Sequence, residues 1–119
     1  MVWYSRAVFF VQSVEQSIAF YTEKLGFTEA AHYKEEGRIL VGQVNREDCE
    51  ILLNCQQPEK TGHGRMFISL EIGALRTLRV EFENRGAPIM DGWWGYDTMI
   101  IKDLDGNELF FPYPKGVSG

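Results

Sequence analysis

The sequence is poor in the residues that define nucleic-acid-binding, membrane-spanning and metal-binding proteins. Its 119 residues include two cysteines and two histidines, and Lys and Arg (12) are fewer than Asp and Glu (17). The net charge of −5 and the lack of any basic run argue against nucleic acid as a partner. No apolar run approaches the roughly 20 residues that a membrane-spanning helix needs. We therefore expect a protein that binds neither nucleic acid nor membrane.

The start of the chain, MVWYSRAVFF, has the pattern of a strand. It lacks the charged region, the long apolar region and the small-residue cleavage site of a signal peptide. We therefore expect a cytoplasmic protein. The length suits one compact domain, or two half-domains that share a core.

The two cysteines, Cys49 and Cys55, do not have the spacing of a disulfide, zinc or redox pair. On one extended strand they would lie roughly 20 Å apart, at ~3.3 Å per residue. A disulfide needs Cα atoms within about 7 Å of each other. The sequence therefore predicts two free thiols.

The first half of the chain predicts a strand, a helix and three further strands. Residues 2–11 form the first predicted strand, and Ser13 has the position of a helix N-cap. Apolar side chains then recur at helical spacing, and Gly26 ends the helix. These apolar side chains are Val14, Ile18, Tyr21 and Leu25. The three predicted strands cover residues 27–33, 38–44 and 49–55.

The second half repeats this pattern. Residues 65–72 read as a strand, residues 74–85 as a helix ending at Gly86, and three short strands follow at 87–90, 96–102 and 108–113. The second helix lacks a favourable N-cap, because Gly73 stands where Ser or Asp would be expected. In the last hairpin, Asp105-Gly106-Asn107 predicts a tight two-residue turn with positive φ at Gly and Asn.

Two segments carry a resemblance to a known superfamily. The stretch VFFVQSVEQSIAFYTEKLGF, with Phe20-Tyr21 and Leu25-Gly26-Phe27, resembles the opening of vicinal oxygen chelate proteins. The segment 103–107, DLDGN, resembles their Asp-Pro-Asp-Gly-Asn hairpin, with Leu104 in place of proline. This superfamily includes glyoxalase I, bleomycin-resistance proteins and extradiol dioxygenases. The resemblance implies an α+β fold in which two tandem βαβββ modules, residues 1–57 and 64–119 of a single domain, form a cup-shaped mixed sheet.

The resemblance also indicates where a metal would be held, and this chain lacks the required ligands. In metal-dependent members, four cup-facing positions supply two His and two Glu. These positions correspond to Arg6, Glu50, Phe67 and Phe110, of which only Glu50 can bind a cation. We therefore expect no divalent metal and no other cofactor.

Strand alternation predicts which other side chains face the cup. Arg6 and Glu50 could form an ion pair in place of the metal, or both could reach solvent at the mouth. Phe10, Phe67 and Phe110 would make an aromatic floor, which is either a closed core or a groove for a flat ligand.

The predicted loop Asp91-Gly92-Trp93-Trp94-Gly95-Tyr96 bears on this choice. Two adjacent Trp side chains do not both fit in one thin layer, so at least one is expected at a pocket or a subunit interface. The alternative is that both serve only packing or dimer contact. The predicted ligand-binding residues are Arg6, Phe10, Glu50, Leu52, Phe67, Ser69, Trp93, Trp94, Tyr96 and Phe110.

Three functions are compatible with these features. The first is a metal-independent, homodimeric protein of the bleomycin-resistance type that sequesters a small aromatic or amphipathic molecule. The second is a lyase, isomerase or dioxygenase of the same superfamily, in which Glu50 would act as general base beside Arg6. The third is a non-catalytic module that binds a partner protein. The resemblance favours the first, because metal-free members of similar size bind antibiotics.

Overall fold

The structure is a computed structural model that describes residues 1–117. Each half of the chain contributes one helix and four strands. None of the helices in residues 1–117 is long and apolar enough to cross a bilayer. The elements are β1 (Ala7–Phe10), α1 (Val14–Leu25), β2 (Thr28–Glu35), β3 (Arg38–Arg46), β4 (Cys49–Asn54), β5 (Arg65–Phe67), α2 (Ile72–Arg85), β6 (Ile89–Trp93), β7 (Asp97–Lys102) and β8 (Glu108–Pro112).

The elements form two mixed four-stranded sheets with the same topology. The first sheet has the order β1-β4-β3-β2 and the second the order β5-β8-β7-β6. In each sheet one pair is parallel, β1 with β4 in the first and β5 with β8 in the second, and the other pairs are antiparallel. Contacts divide the described residues into one unit of Met1–Gly64 with Asp103–Asn107, and a second of Arg65–Lys102 with residues 108–117. The chain is thus an α+β protein of two tandem βαβββ modules, as predicted.

Helix α1 begins and ends as its sequence predicts. Ser13 Oγ accepts a hydrogen bond of 3.2 Å from the backbone N–H of Gln16. Gly26 has φ +71, the left-handed conformation in which glycine avoids the strain of a Cβ atom. The side chains at the predicted apolar positions are all buried: Val14, Ile18, Tyr21 and Leu25.

In the first module, α1 packs on β3 and β4. Phe9, Ile51 and Leu53 are buried, whereas the alternate positions Val8 and Leu52 are more exposed. This alternation is the one that a sheet covered on one face by a helix requires. The first strand is shorter than predicted, because only Ala7–Phe10 pairs with β4.

The second module departs from the prediction at its start. Strand β5 ends at Phe67, and Ile72, predicted as the end of that strand, is the first residue of α2. Glu71 caps the helix with its carboxylate, which accepts from the N–H of Ala74 at 2.5 Å. The prediction of an uncapped helix beginning near Gly73 was therefore wrong. Apolar residues alternate before the helix as they do in a strand. In the described chain, however, pairing with β8 ends at Phe67.

The last hairpin also differs from the prediction. Its loop has five residues, Asp103–Asn107, and Lys102 pairs with Glu108. Only Gly106, with φ +100, has positive φ in this loop. The prediction of a two-residue turn was therefore wrong. Asp103 Oδ1 accepts hydrogen bonds from the N–H groups of Asp105 and Asn107 at 2.9 Å each. These bonds stabilise a wider loop.

Candidate ligand-binding site

Three aromatic rings meet on the second sheet, on the face away from α2. The parallel register of β5 and β8 places Phe67 beside Phe110, with ring centroids 5.0 Å apart. The ring of Trp94 lies 5.5 Å from that of Phe67 and 5.3 Å from that of Phe110. These three residues are called the aromatic cluster below. Such spacings are typical of attractive tilted and edge-to-face ring pairs.

The aromatic cluster is half-exposed. Phe110 is 2% exposed, but Phe67 and Trp94 are 50% and 57% exposed. Phe67 and Trp94 therefore keep a large apolar surface in water, where a flat apolar ligand could cover it. Beside the cluster, Arg65 Nε lies 2.7 Å from Glu108 Oε1, so this end of the same strand pair is charged.

The backbone around Gly92 and Gly95 determines where Trp94 lies. A Cβ atom on Gly92 would approach Ile100 Cδ1 to 2.5 Å, so a side chain at this position of β6 would require Ile100 to move. Gly95 has φ +79 and allows the tight turn in which the N–H of Trp94 donates to the carbonyl of Tyr96 at 3.0 Å.

The two adjacent tryptophans point to different faces of the second sheet. Trp93 is the last residue of β6 and shares a face with Asp91, whose carboxylate contacts Arg79 of α2. Trp94 belongs to the aromatic cluster on the other face. Trp93 lines a separate depression together with Tyr96. The predicted ligand-binding residues of the second module are therefore divided between two places, with Trp93 and Tyr96 apart from the aromatic cluster.

On the first sheet, a polar network joins Arg6 and Glu50, for which the sequence left open an ion pair or two solvent-facing charges. Arg6 Nη1 donates to Gln43 Oε1 at 3.1 Å, and Gln43 Nε2 donates to Glu50 Oε1 at 2.9 Å. The predicted direct ion pair does not form between these two described residues, because the amide of Gln43 stands between them. Its alternative, that both charges reach solvent, fits the exposed Arg6 and the half-buried Glu50.

Tyr4 completes this network. Its hydroxyl donates to Glu50 Oε1, and this hydrogen bond raises the pKa of Tyr4 above its ordinary value of 10.0. The ring of Tyr4 lies 5.3 Å from the Arg6 guanidinium carbon, within cation–π range. Glu50 Oε1 is thus held by two donors.

The remaining predicted residues have less defined roles. Leu52 is half-buried in β4, beside Val8 and Gln43 in the register. Phe10 is half-buried and lies under the ammonium of Lys60, 5.5 Å from the ring centroid. Ser69 lies beyond the end of β5, so the strand alternation used to orient it does not apply.

The described residues contain no group of three or more His, Cys, Asp or Glu side chains arranged to hold a metal. His32 Nδ1 pairs with Glu29 Oε2 at 2.7 Å on the exposed strand β2. His63 is an exposed loop residue. Cys49 and Cys55 are thiols and form no disulfide, as predicted. Glu50 is the one carboxylate at the positions that the resemblance indicated.

The sequence reasoning missed Gln43 and its neighbour Asn45, whose Oδ1 accepts from Gln43 Nε2 at 3.0 Å. A signal for both was present. In β3 they alternate with Gly42 and Val44, which are buried towards α1. The same period of two that placed Glu50 would have placed Gln43 and Asn45 on the face away from the helix.

Residues 3–111 match the family described as the Glyoxalase/Bleomycin resistance protein/Dioxygenase superfamily. The chain therefore belongs to this superfamily, as the two motifs predicted. A comparison with curated proteins finds no significant match.

Solved structures share this fold at low sequence identity. A glyoxalase/bleomycin resistance protein from Catenulispora acidiphila DSM 44928 is 19% identical, with a TM-score of 0.75 over 95% of this chain and 100% of that one. The bleomycin-binding protein of Streptomyces verticillus, complexed with copper(II)-bleomycin, is 13% identical, with a TM-score of 0.71 over 97% and 98%. TnmS3, an antibiotic binding protein from Streptomyces sp. CB03234, is 20% identical, with a TM-score of 0.67 over 97% and 99%.

Proposed function

We propose that the protein binds a small aromatic or amphipathic molecule without a metal ion and sequesters it without chemical change. The observation that carries the proposal is the aromatic cluster, in which Phe67 and Trp94 stay half-exposed around a buried Phe110. Folding alone does not explain two large apolar rings left in water. Covering them with a flat ligand would remove that surface from water.

Two further observations support the proposal. Structures of the same fold include two named as antibiotic-binding and bleomycin-binding proteins. The positions at which the superfamily resemblance expects metal ligands hold Arg6, Phe67 and Phe110, whose side chains do not coordinate cations. The proposal has two further parts. The protein is a homodimer, because the metal-free members that it resembles are dimers. It is also cytoplasmic.

The proposal is tested by titrating the protein with bleomycin and with a planar cationic anthracycline, using isothermal calorimetry. Saturable binding of either compound is expected, and Trp94→Leu should weaken it by about fivefold or more, since stacking on an aromatic ring contributes about 1 kcal/mol beyond area burial. Trp93→Leu is the matched control, because it removes the adjacent indole from the other face of the sheet. Equal affinities of the two variants, or no binding across a broad aromatic panel, would refute the proposal.

An enzymatic role is the second candidate, and the Glu50 network favours it. Gln43 and Tyr4 both donate to Oε1 of Glu50. Arg6 joins the same network by donating to the side chain of Gln43. A carboxylate held in this way could serve as the general base of a lyase, isomerase or dioxygenase. Elemental analysis of the purified protein tests the first proposal. Stoichiometric divalent metal that is lost in Glu50→Ala would contradict sequestration without metal and favour an enzyme of the superfamily.

A further inference from the structure

Trp93 lines a second depression on the second module, with a volume of about 300 Å³. The side chain of Trp93 is 72% exposed, and that of Tyr96, on the same rim, is 44% exposed. Neither ring is paired with another ring among the described residues, in contrast to the aromatic cluster. The volume lies at the lower end of the range for small-molecule sites, roughly 300–1,000 Å³.

Two opposite charges line the same depression. Asp97 is the cross-strand neighbour of Trp93 in the β6–β7 register, so its carboxylate and the indole share one face. Lys115 approaches from the segment that follows β8. Although both line one depression, no ion pair joins Asp97 and Lys115 in the part of the chain that the structure describes. Both charges are therefore available to a ligand.

Both chain segments that line this depression are joined to Arg79 by hydrogen bonds. Arg79 of α2 donates to both carboxylate oxygens of Asp91, at 2.7 and 3.0 Å, and to the hydroxyl of Tyr113 at 3.2 Å. Asp91 lies two residues before Trp93, and Tyr113 is buried immediately before the turn that begins at Pro114. One guanidinium thus holds both the strand that carries the indole and the segment that carries the lysine.

We propose that this depression binds a small zwitterion that carries a substituted ammonium group and a carboxylate. The ammonium would lie against the faces of Trp93 and Tyr96 beside the Asp97 carboxylate, an arrangement that attracts organic cations. The carboxylate of the ligand would pair with the ammonium of Lys115. A simple cation would be repelled by Lys115 and a simple anion by Asp97, so the charge pattern selects a molecule with both.

The probe is glycine betaine, and tetramethylammonium and acetate represent its two halves. We expect saturable betaine binding by calorimetry, with each half binding at least about tenfold more weakly. Trp93→Leu should weaken betaine binding about tenfold, towards the upper range of a cation–π contact. Asp97→Asn should weaken it about tenfold because it removes the carboxylate beside the ammonium. Both positions are on the surface, so these variants are expected to fold, and circular dichroism verifies this. Trp94→Leu, on the other face, should leave the betaine affinity unchanged.

Absence of betaine binding at tens of millimolar overturns the proposal, as does binding that Trp93→Leu and Asp97→Asn leave unaltered. Tetramethylammonium that binds as well as betaine would also overturn it, because Lys115 would then play no part. This site is independent of the aromatic cluster. Trp94→Leu should weaken anthracycline binding and leave betaine binding intact. Trp93→Leu should weaken betaine binding and leave anthracycline binding intact, which would distinguish the two sites.

Discussion

The hydroxyl of Tyr21 donates a 3.0 Å hydrogen bond to Oδ2 of Asp103, and both residues are buried. The two are 82 positions apart, and the bond attaches the last hairpin loop to helix α1. Asn107 extends the attachment, because its Nδ2 donates to the Phe10 carbonyl at 3.1 Å and its Oδ1 accepts from the N–H of Gly64 at 2.7 Å. The acidic loop that helped to identify the superfamily therefore has a structural role in the first module.

Tyr21→Phe tests this attachment. The substitution removes one hydrogen bond to a buried carboxylate, and such bonds contribute about 1.5–3 kcal/mol. We expect the free energy of unfolding, measured by urea denaturation, to fall by about 2 kcal/mol. Tyr33→Phe is the matched control, because the Tyr33 hydroxyl donates to Glu35 on the exposed strand β2. This substitution should lower the free energy of unfolding by less than about 0.5 kcal/mol. Equal costs for the two variants would show that the buried bond contributes little.

The same tyrosine predicts a loss of stability at alkaline pH. Burial and the neighbouring Asp103 raise the pKa of Tyr21 well above 10.0. Because the folded state holds this proton more tightly than the unfolded state, its stabilisation is complete below pH 10 and is lost as pH rises through the folded-state pKa. In urea denaturation between pH 9 and 11, the wild type should lose more stability than Tyr21→Phe. Parallel curves would contradict this.

Gly64 predicts a steric effect in the same region. A Cβ atom at this position would lie 2.8 Å from Asn107 Oδ1 and 2.8 Å from Cε1 of Phe9, closer than real side chains approach. Gly64→Ala should therefore lower the free energy of unfolding by about 2 kcal/mol or more. Gly37→Ala, at φ +78 in open space, should cost about 1 kcal/mol through backbone strain alone. A smaller cost for Gly64→Ala than for Gly37→Ala would show that Phe9 and Asn107 move aside.

Local signals were sufficient for much of the fold. Ser13 and Gly26 define α1 because capping depends on residues within one turn. The start of α2 could not be predicted, because Glu71 is an uncommon capping residue and the preceding segment alternates like a strand. That segment is not a strand because pairing with β8 stops at Phe67, and pairing is a property of the whole sheet.

The candidate site was predictable only in part, for the same physical reason. The pairing of Phe67 with Phe110 followed from the superfamily pattern, because it fixes the register of β5 and β8. Trp93 and Trp94 could not be separated, since the face of each depends on where β6 ends. Gln43 was not predicted, although the period of two in β3 places it on the face away from α1.

The bidentate pair of Arg79 and Asp91 predicts an acid-dependent contribution to stability. The hydrogen bonds from Arg79 hold the pKa of Asp91 below its ordinary value of 3.8. The stabilisation is therefore complete above that value and is lost as pH falls through the lower folded-state pKa. Asp91→Asn should cost about 0.5–1 kcal/mol at pH 7, as expected for a well-aligned surface pair, and the difference should shrink as the pH falls below 3.8. Glu83→Gln, whose carboxylate lies 3.9 Å from Arg79 Nε, is the control and should cost less. A difference that persists unchanged at pH 2 would show that charge pairing is not its source.

Cys49 predicts a slow reaction with alkylating agents. Burial, with a smaller contribution from the charge of Glu50, raises the pKa of Cys49 from 9.0 to about 11. Because the thiolate is the reactive form, a pKa raised by two units leaves about a hundredfold less of it at pH 8. With Cys55→Ser as the background, iodoacetamide should label Cys49 about a hundredfold more slowly in the folded protein than in urea. Glu50→Gln should raise the folded-state rate only slightly, because burial is the larger cause. A rate near that of the unfolded chain would show that the thiol of Cys49 is open to water.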